Sequence, residues 1–244
     1  GGVAYRCPNK NCPAIKKERI YHFISKSAFD IDGLGPKIVD KLLDQGLIQD
    51  SPDLFDLKEG DLIPLERFAE KSAANLIKAI QSHRIIEFPR FLMALGVFHV
   101  GFETSVVLAE YFGNIDKLEK ASAEELKKVS NIGEVVAKSI YGWFRDDYNK
   151  RFLKKLKEKV KIKFYKKPAG KLAGKKFVIT GALLKFSREE AKKKIIELGG
   201  KTSESVARDV DYLVAGKEPG GKFKKAKKLG IKIINERGFL DLIG

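Results

Sequence analysis

Ile31-Asp32-Gly33-Leu34-Gly35-Pro36-Lys37-Ile38-Val39 sets the pattern on which the larger part of the chain is built. It reads as two short helices joined by a Gly-hydrophobic-Gly turn, and three weaker copies follow it. With Gly35, Ala69, Gly101 and Gly133 aligned, the steps between copies are 34, 32 and 32 residues. Leu34, Phe68, Val100 and Ile132 lie one position before the aligned residue, and Ile31, Leu65, Val97 and Val129 lie four before. Val39, Ala73, Ser105 and Ala137, all small or slim, lie four after; Leu42, Leu76, Leu108 and Ile140 lie seven after. This spacing packs one helix pair against itself across a tight turn, and its fixed recurrence marks a repeated unit.

Such turns have a chemistry. Glycine admits positive φ and the close approach of another backbone. The helix that follows opens with unpaired N–H groups and the positive end of its dipole, an anion site that suits a nucleic-acid phosphate. A lone Gly-x-Gly is equally a plain helix cap; four copies in register favour the shared role. The copies are unequal, because Arg67/Ala69, His99/Gly101 and Asn131/Gly133 replace one or both glycines. The expected phosphate binders are therefore Gly33 and Gly35 first, then Gly101 and Gly133, with Lys37 and Lys71 two residues past their turns.

Composition agrees. The 244 residues carry a net charge of +16, and residues 166–244 hold 20 Lys/Arg against 9 Asp/Glu. A basic surface of this size favours polyanions, nucleic acid first. A Lys/Glu-rich thermophile surface reads the same way, and the single Met fits it. No apolar run is long enough for a membrane span, and the N-terminus has no signal-peptide pattern.

Cys7-Pro-Asn-Lys-Asn-Cys12 reads as half of a structural zinc knuckle, since zinc wants four tetrahedral ligands and only two cysteines exist. His22 lies in the apolar run Ile20–Ile24 and is expected to pack there. A disulfide across the loop is the alternative, disfavoured in a cytosolic protein. The expectation is a partial zinc-finger segment over 1–22, an all-α tandem helix-hairpin-helix domain over 23–160 and a linker over 161–170. Ser122 with Glu125 is a capping-box signature inside that domain. Beyond the linker the period changes. Phe177–Thr180, Tyr212–Ala215 and Ile231–Ile234 read as strands, and Ser187 caps a helix stopped by Gly199-Gly200. Residues 171–244 are thus a small α/β domain with a parallel sheet.

These parts, in this order, resemble the C-terminal half of a bacterial NAD-dependent DNA ligase. Cys7–Cys12 with Pro13-Ala14 resembles the second half of that family's four-cysteine zinc finger. Phe29–Gly35, Glu70–Leu76, Ala94–Val97 with His99–Gly101, and Asn131–Gly133 resemble its four hairpins, and Phe177–Gly181, Gly199-Gly200 and Lys225–Ile231 resemble its BRCT domain. The resemblance implies a grip on nicked double-stranded DNA for sealing in replication and repair, in the cytoplasm at the nucleoid. It also implies zinc at Cys7 and Cys12, and N-terminal adenylation and OB domains as partners that use NAD and Mg²⁺. In the BRCT domain it implies a phosphate pocket at Thr180, Gly181, Arg188 and Lys222, for a DNA 5′-phosphate or a phosphopeptide. No Lys-x-Asp-Gly adenylation motif occurs in these residues, no catalytic residue is identified, and the chain is expected to be inactive in sealing alone. The rival readings are a non-enzymatic repair adaptor built from the same modules, and the binding half of a polymerase or nuclease.

Overall fold

Each of the four aligned residues is the N-cap of a helix in the computed structural model, which describes residues 12–66, 68–165 and 170–244. Gly35 caps α2 (Pro36–Asp44), Ala69 caps α4 (Glu70–Ser82), Gly101 caps α6 (Phe102–Phe112) and Gly133 caps α9 (Glu134–Arg145). The positions four after the caps, Val39, Ala73, Ser105 and Ala137, are all buried. Each is small or slim and lies on the buried side of its helix. Ser105 is tolerated because its Oγ donates back to Gly101 O at 3.0 Å.

One turn recurs ahead of every cap. The N–H one residue before the cap donates to the carbonyl four before it: Leu34 to Ile31, Phe68 to Leu65, Val100 to Val97 and Ile132 to Val129, at 3.0–3.2 Å. The second-last residue of this turn has positive φ in Gly33 (79°), His99 (66°) and Asn131 (63°). Conformational freedom is thus needed at Gly33, where a Gly or Asn is favoured at the third turn position. It is not needed at Gly35, whose φ of −97° and ψ of 171° are open to any residue. Ala69 sits in the same backbone conformation at the second copy.

The helices before the turns are α3 (Glu59–Leu62), α5 (Phe88–Ala94) and α8 (Ala123–Lys127), which pack on α4, α6 and α9. The first copy differs from expectation. Residues 25–29 form hydrogen-bonded turns rather than a helix, and the longer α1 (Pro13–Ile24) packs on α2 instead. Pro13 at its first position preorganises that helix. Its residues Ile20, Phe23 and Ile24 are buried in the same core as the hairpins, so the finger segment expected over 1–22 gives way to hairpin-domain structure from Pro13. Phe23 stacks on Phe29 at 4.2 Å, and Phe55 from the 3-10 helix Ser51–Asp56 lies 5.5 Å from Phe29.

The linker boundary also moves. β2 (Lys161–Lys163) pairs in parallel with β1 (Ile85–Glu87), after α7 (Ile115–Lys120) and α10 (Asp147–Lys159) have closed the helical part. The compact unit therefore ends at Tyr165, not Val160, and it is not purely helical. Three-residue strands are too short to show a period, which is why the sequence pattern hid them. Arg84 fastens this corner: its guanidinium donates to Lys159 O at 2.9 Å, and to Phe55 O and Gln81 Oε1. Arg84→Ala should lower the urea unfolding free energy by about 2 kcal/mol, because buried carbonyls lose a charged donor. An unchanged urea midpoint would contradict that role.

The second unit, residues 166–244, has its four strands all parallel in the order β4-β3-β5-β6. These are β3 (Lys176–Thr180), β4 (Lys201–Thr202), β5 (Tyr212–Ala215) and β6 (Lys232–Asn235). Around them lie α11 (Arg188–Glu197), α12 (Gly221–Lys228) and α13 (Glu236–Ile243). The expected α/β architecture is present. Phe177, Ile179, Ile195 and Phe239 fill one face, and Val178, Leu213, Ala226 and Ile231 the other, as a parallel sheet covered on both faces requires.

Candidate nucleic-acid interface

The four turns are joined in two pairs, and the joint is the same in both. In the first pair, Lys41, six residues past cap Gly35, donates its Nζ to Glu66 O at 2.9 Å, three before cap Ala69. In the second, Ser139, six past cap Gly133, donates its Oγ to Phe98 O at 2.7 Å, three before cap Gly101. Each pair thus sets the turn of one hairpin against the second helix of the other.

The cap glycines leave room. A Cβ placed on Gly35, Gly101 or Gly133 would meet nothing within 4 Å. Neither internal packing nor φ demands glycine at these caps, yet three of the four have it. An external group that must come close to the helix N-terminus would demand it.

The four N-termini are not equal as anion sites. α4, α6 and α9 carry Glu70, Glu103 and Glu134 in their first turns, and a carboxylate there competes with a phosphate for the dipole. Glu134 is held by Lys138 at 2.6 Å, and that hydrogen bond lowers its pKa. Ser72 Oγ accepts from Ala69 N at 2.9 Å, which satisfies the N–H of the cap residue itself. α2 has no acid in its first turn, although Pro36 also removes one N–H donor. Lys37 and Lys71 are exposed, and among the described residues neither is in an ion pair. Of the four helices, α2 combines a cap glycine with an acid-free first turn, whereas α4 has neither.

At the N-terminal end, Cys12 is half-buried at the N-cap of α1. Cys7 lies outside the described residues. His22 approaches Met93 O through Nε2 at 2.6 Å, so it packs as the sequence suggested. Among the described residues no group of three or more His, Cys, Asp or Glu could hold a metal, so they do not close a zinc site by themselves.

In the second unit Thr180 ends β3 and is buried. Gly181 has φ 78°, and a Cβ there would lie 2.5 Å from Lys217 O, where an Ala182–Lys217 bridge locks two loops together. Close packing alone therefore explains this glycine. Arg188 Nε donates to Gly181 O at 3.1 Å, which gives the cation at the start of α11 a local acceptor. Lys222 pairs instead with Glu204 at 3.5 Å, and Lys192 reaches the same carboxylate at 2.5 Å. The hydrogen bond from Lys192, more than the charge of Lys222, holds the Glu204 pKa below its usual value. A lowered folded-state pKa stabilises above the ordinary glutamate range, and that gain is lost as pH falls through the folded value. Between neutral pH and pH about 3, the thermal midpoint of this unit should fall a few degrees more in wild type than in Glu204→Gln. Methyl signals of Val210 and Leu213 would report it, and equal falls would contradict the pairing.

Comparison with known proteins follows the same divisions. Residues 26–82 match the family described as "SAM-like Helix-hairpin-helix tandem", residues 90–153 "Helix-hairpin-helix motif", and residues 167–243 "BRCA1 C Terminus (BRCT) domain". The chain is 45% identical over 99% of its length to a DNA ligase of Methylacidiphilum infernorum, covering 35% of that protein. It is 43% identical over 100% of its length to a DNA ligase of Halothermothrix orenii, covering 37% of it. It therefore spans about a third of the curated relatives it matches. The reading as a stand-alone repair adaptor is not favoured, because the ligase similarity runs through both units without a break. Two helix-hairpin-helix matches, a BRCT match and ligase similarity over the length of the chain together support its being a C-terminal fragment of a bacterial DNA ligase.

Proposed function

We propose that the hairpin unit grips nicked duplex DNA through its phosphates, without reading sequence, so that an NAD-dependent ligase can seal the nick in replication and repair. The observation that carries this reading is the open space at the cap glycines Gly35, Gly101 and Gly133, each at the start of a helix. Lys37 and Lys71 add cations beside the first two N-termini. Bases play no part in such contacts, so specificity lies in backbone geometry. Adenylation and OB domains of the ligase would be its partners, at work on the cytoplasmic nucleoid. NAD and Mg²⁺ would serve their chemistry, and nothing in this chain is assigned to either. Cys7 and Cys12 would supply two thiolates to a structural zinc site, the others coming from outside these residues.

For the BRCT unit, a 5′-phosphate of DNA is the proposed ligand of Thr180, Gly181, Arg188 and Lys222. Glu204 is then the group that a phosphate must displace from Lys222.

The test is competition between two nicked duplexes of unrelated sequence for the whole chain. Equal affinities are expected. A large preference for one sequence would overturn phosphate-only recognition.

A further inference from the structure

The repeat gives each turn tip a quasi-equivalent partner, and one tip is chemically unlike the others. The position three before the cap holds Asp32, Glu66, Phe98 and Ser130 in the four copies. The position two after the cap holds Lys37, Lys71, Glu103 and Val135. The joint between hairpins holds the first position against the helix that carries the second. In the first pair, Lys41 contacts Glu66 O, and Lys37 lies one helical turn before Lys41. In the second pair, Ser139 contacts Phe98 O, and Val135 lies one helical turn before Ser139. The charged place Glu66/Lys37 of the first pair is thus the apolar place Phe98/Val135 of the second. Both apolar side chains are exposed, Phe98 at 51% and Val135 at 65%. Val135 lies in the first turn of the helix capped by Gly133, and Phe98 lies on the turn that leads into the helix capped by Gly101.

We propose that Phe98 and Val135 form an apolar contact with the deoxyribose face of duplex DNA, next to the phosphates approached at Gly101 and Gly133. This deepens the phosphate-grip reading and rests on it. The argument is one of complementarity. A nucleic-acid backbone alternates phosphate with sugar, and the sugar offers its C–H faces as the apolar surface between two charges. A protein that holds backbone phosphates without reading bases meets those sugars directly. Two neighbouring tips of one such interface, one ionic and one apolar, would then divide the affinity into a salt-sensitive and a salt-insensitive part.

The division is measurable. Binding of the whole chain to a nicked duplex is followed by anisotropy over a range of salt, for wild type, Phe98→Ala, Val135→Thr and Phe98→Leu. Phe98→Ala should weaken binding about tenfold at every salt concentration, giving a line parallel to wild type, because apolar area is lost and no phosphate contact is. Val135→Thr should shift the same way by less, and Phe98→Leu should stay near wild type. Superimposed lines for wild type and Phe98→Ala would overturn the proposal and leave the patch to a protein partner. So would a changed slope that converges on wild type at high salt. Should Phe98→Ala lower the thermal midpoint, Val135→Thr alone decides by the same two criteria. Wild type that binds no DNA, or binds it without salt dependence, would instead defeat the phosphate grip itself.

Discussion

Gly33→Val should cost the hairpin unit about 2 kcal/mol of stability, while Gly35→Val should cost less than about 1 kcal/mol and instead weaken DNA binding by a factor of about 10 or more. The two glycines stand two residues apart and do different work. Gly33 has φ 79° in the recurring turn, a region closed to a β-branched side chain. Gly35 is extended and its Cβ direction is empty, and Ala69 already shows that a side chain fits that backbone. What a side chain at position 35 would fill is the space in front of the α2 N-terminus. Urea denaturation separates the first effect and anisotropy with a nicked duplex the second. A Gly35→Val variant that unfolds as readily as Gly33→Val would show that the cap, not the approach of a ligand, needs glycine. One that binds as well as wild type would remove the first turn from the interface.

The register of the repeat was legible because four constraints recur together: a turn, a cap, a small buried residue four past it and an apolar residue one turn on. Val39, Ala73, Ser105 and Ala137 are buried for one reason, so they announce themselves at one spacing. The α/β unit was legible through Phe177–Thr180 and Tyr212–Ala215, whose apolar runs belong to a sheet covered on both faces. What stayed hidden is relational. His99 and Asn131 do the work of Gly33 at positive φ, and nothing in their residue type reveals it beyond the tolerance of Asn for that region. Lys41 and Ser139 make the same joint with different chemistry, because the acceptor in each case is a backbone carbonyl. A carbonyl has no sequence signature. The Arg84 corner escaped for the same reason, with carbonyl partners 29 and 75 residues away. The phosphate pocket expected at Thr180, Gly181, Arg188 and Lys222 shows the converse. The resemblance grouped the four, and the structure adds what each meets within the chain: Gly181 packs on Lys217, Arg188 bonds to Gly181 O and Lys222 pairs with Glu204.

Salt should govern binding by the hairpin unit. Each phosphate neutralised adds about −0.9 to the slope of log K against log[salt], so Lys37→Gln and Lys71→Gln should each make it shallower by about that amount. The double variant should then bind almost as wild type at high salt and far more weakly at low salt. Both lysines are exposed, so neither change should move the unfolding midpoint. The most direct measurement is wild-type affinity for a nicked duplex, followed from about 50 to about 200 mM salt. A straight log–log fall of slope about −4 or steeper is predicted, one unit or so for each turn. Affinity that stays flat across that range would contradict a grip made on phosphates.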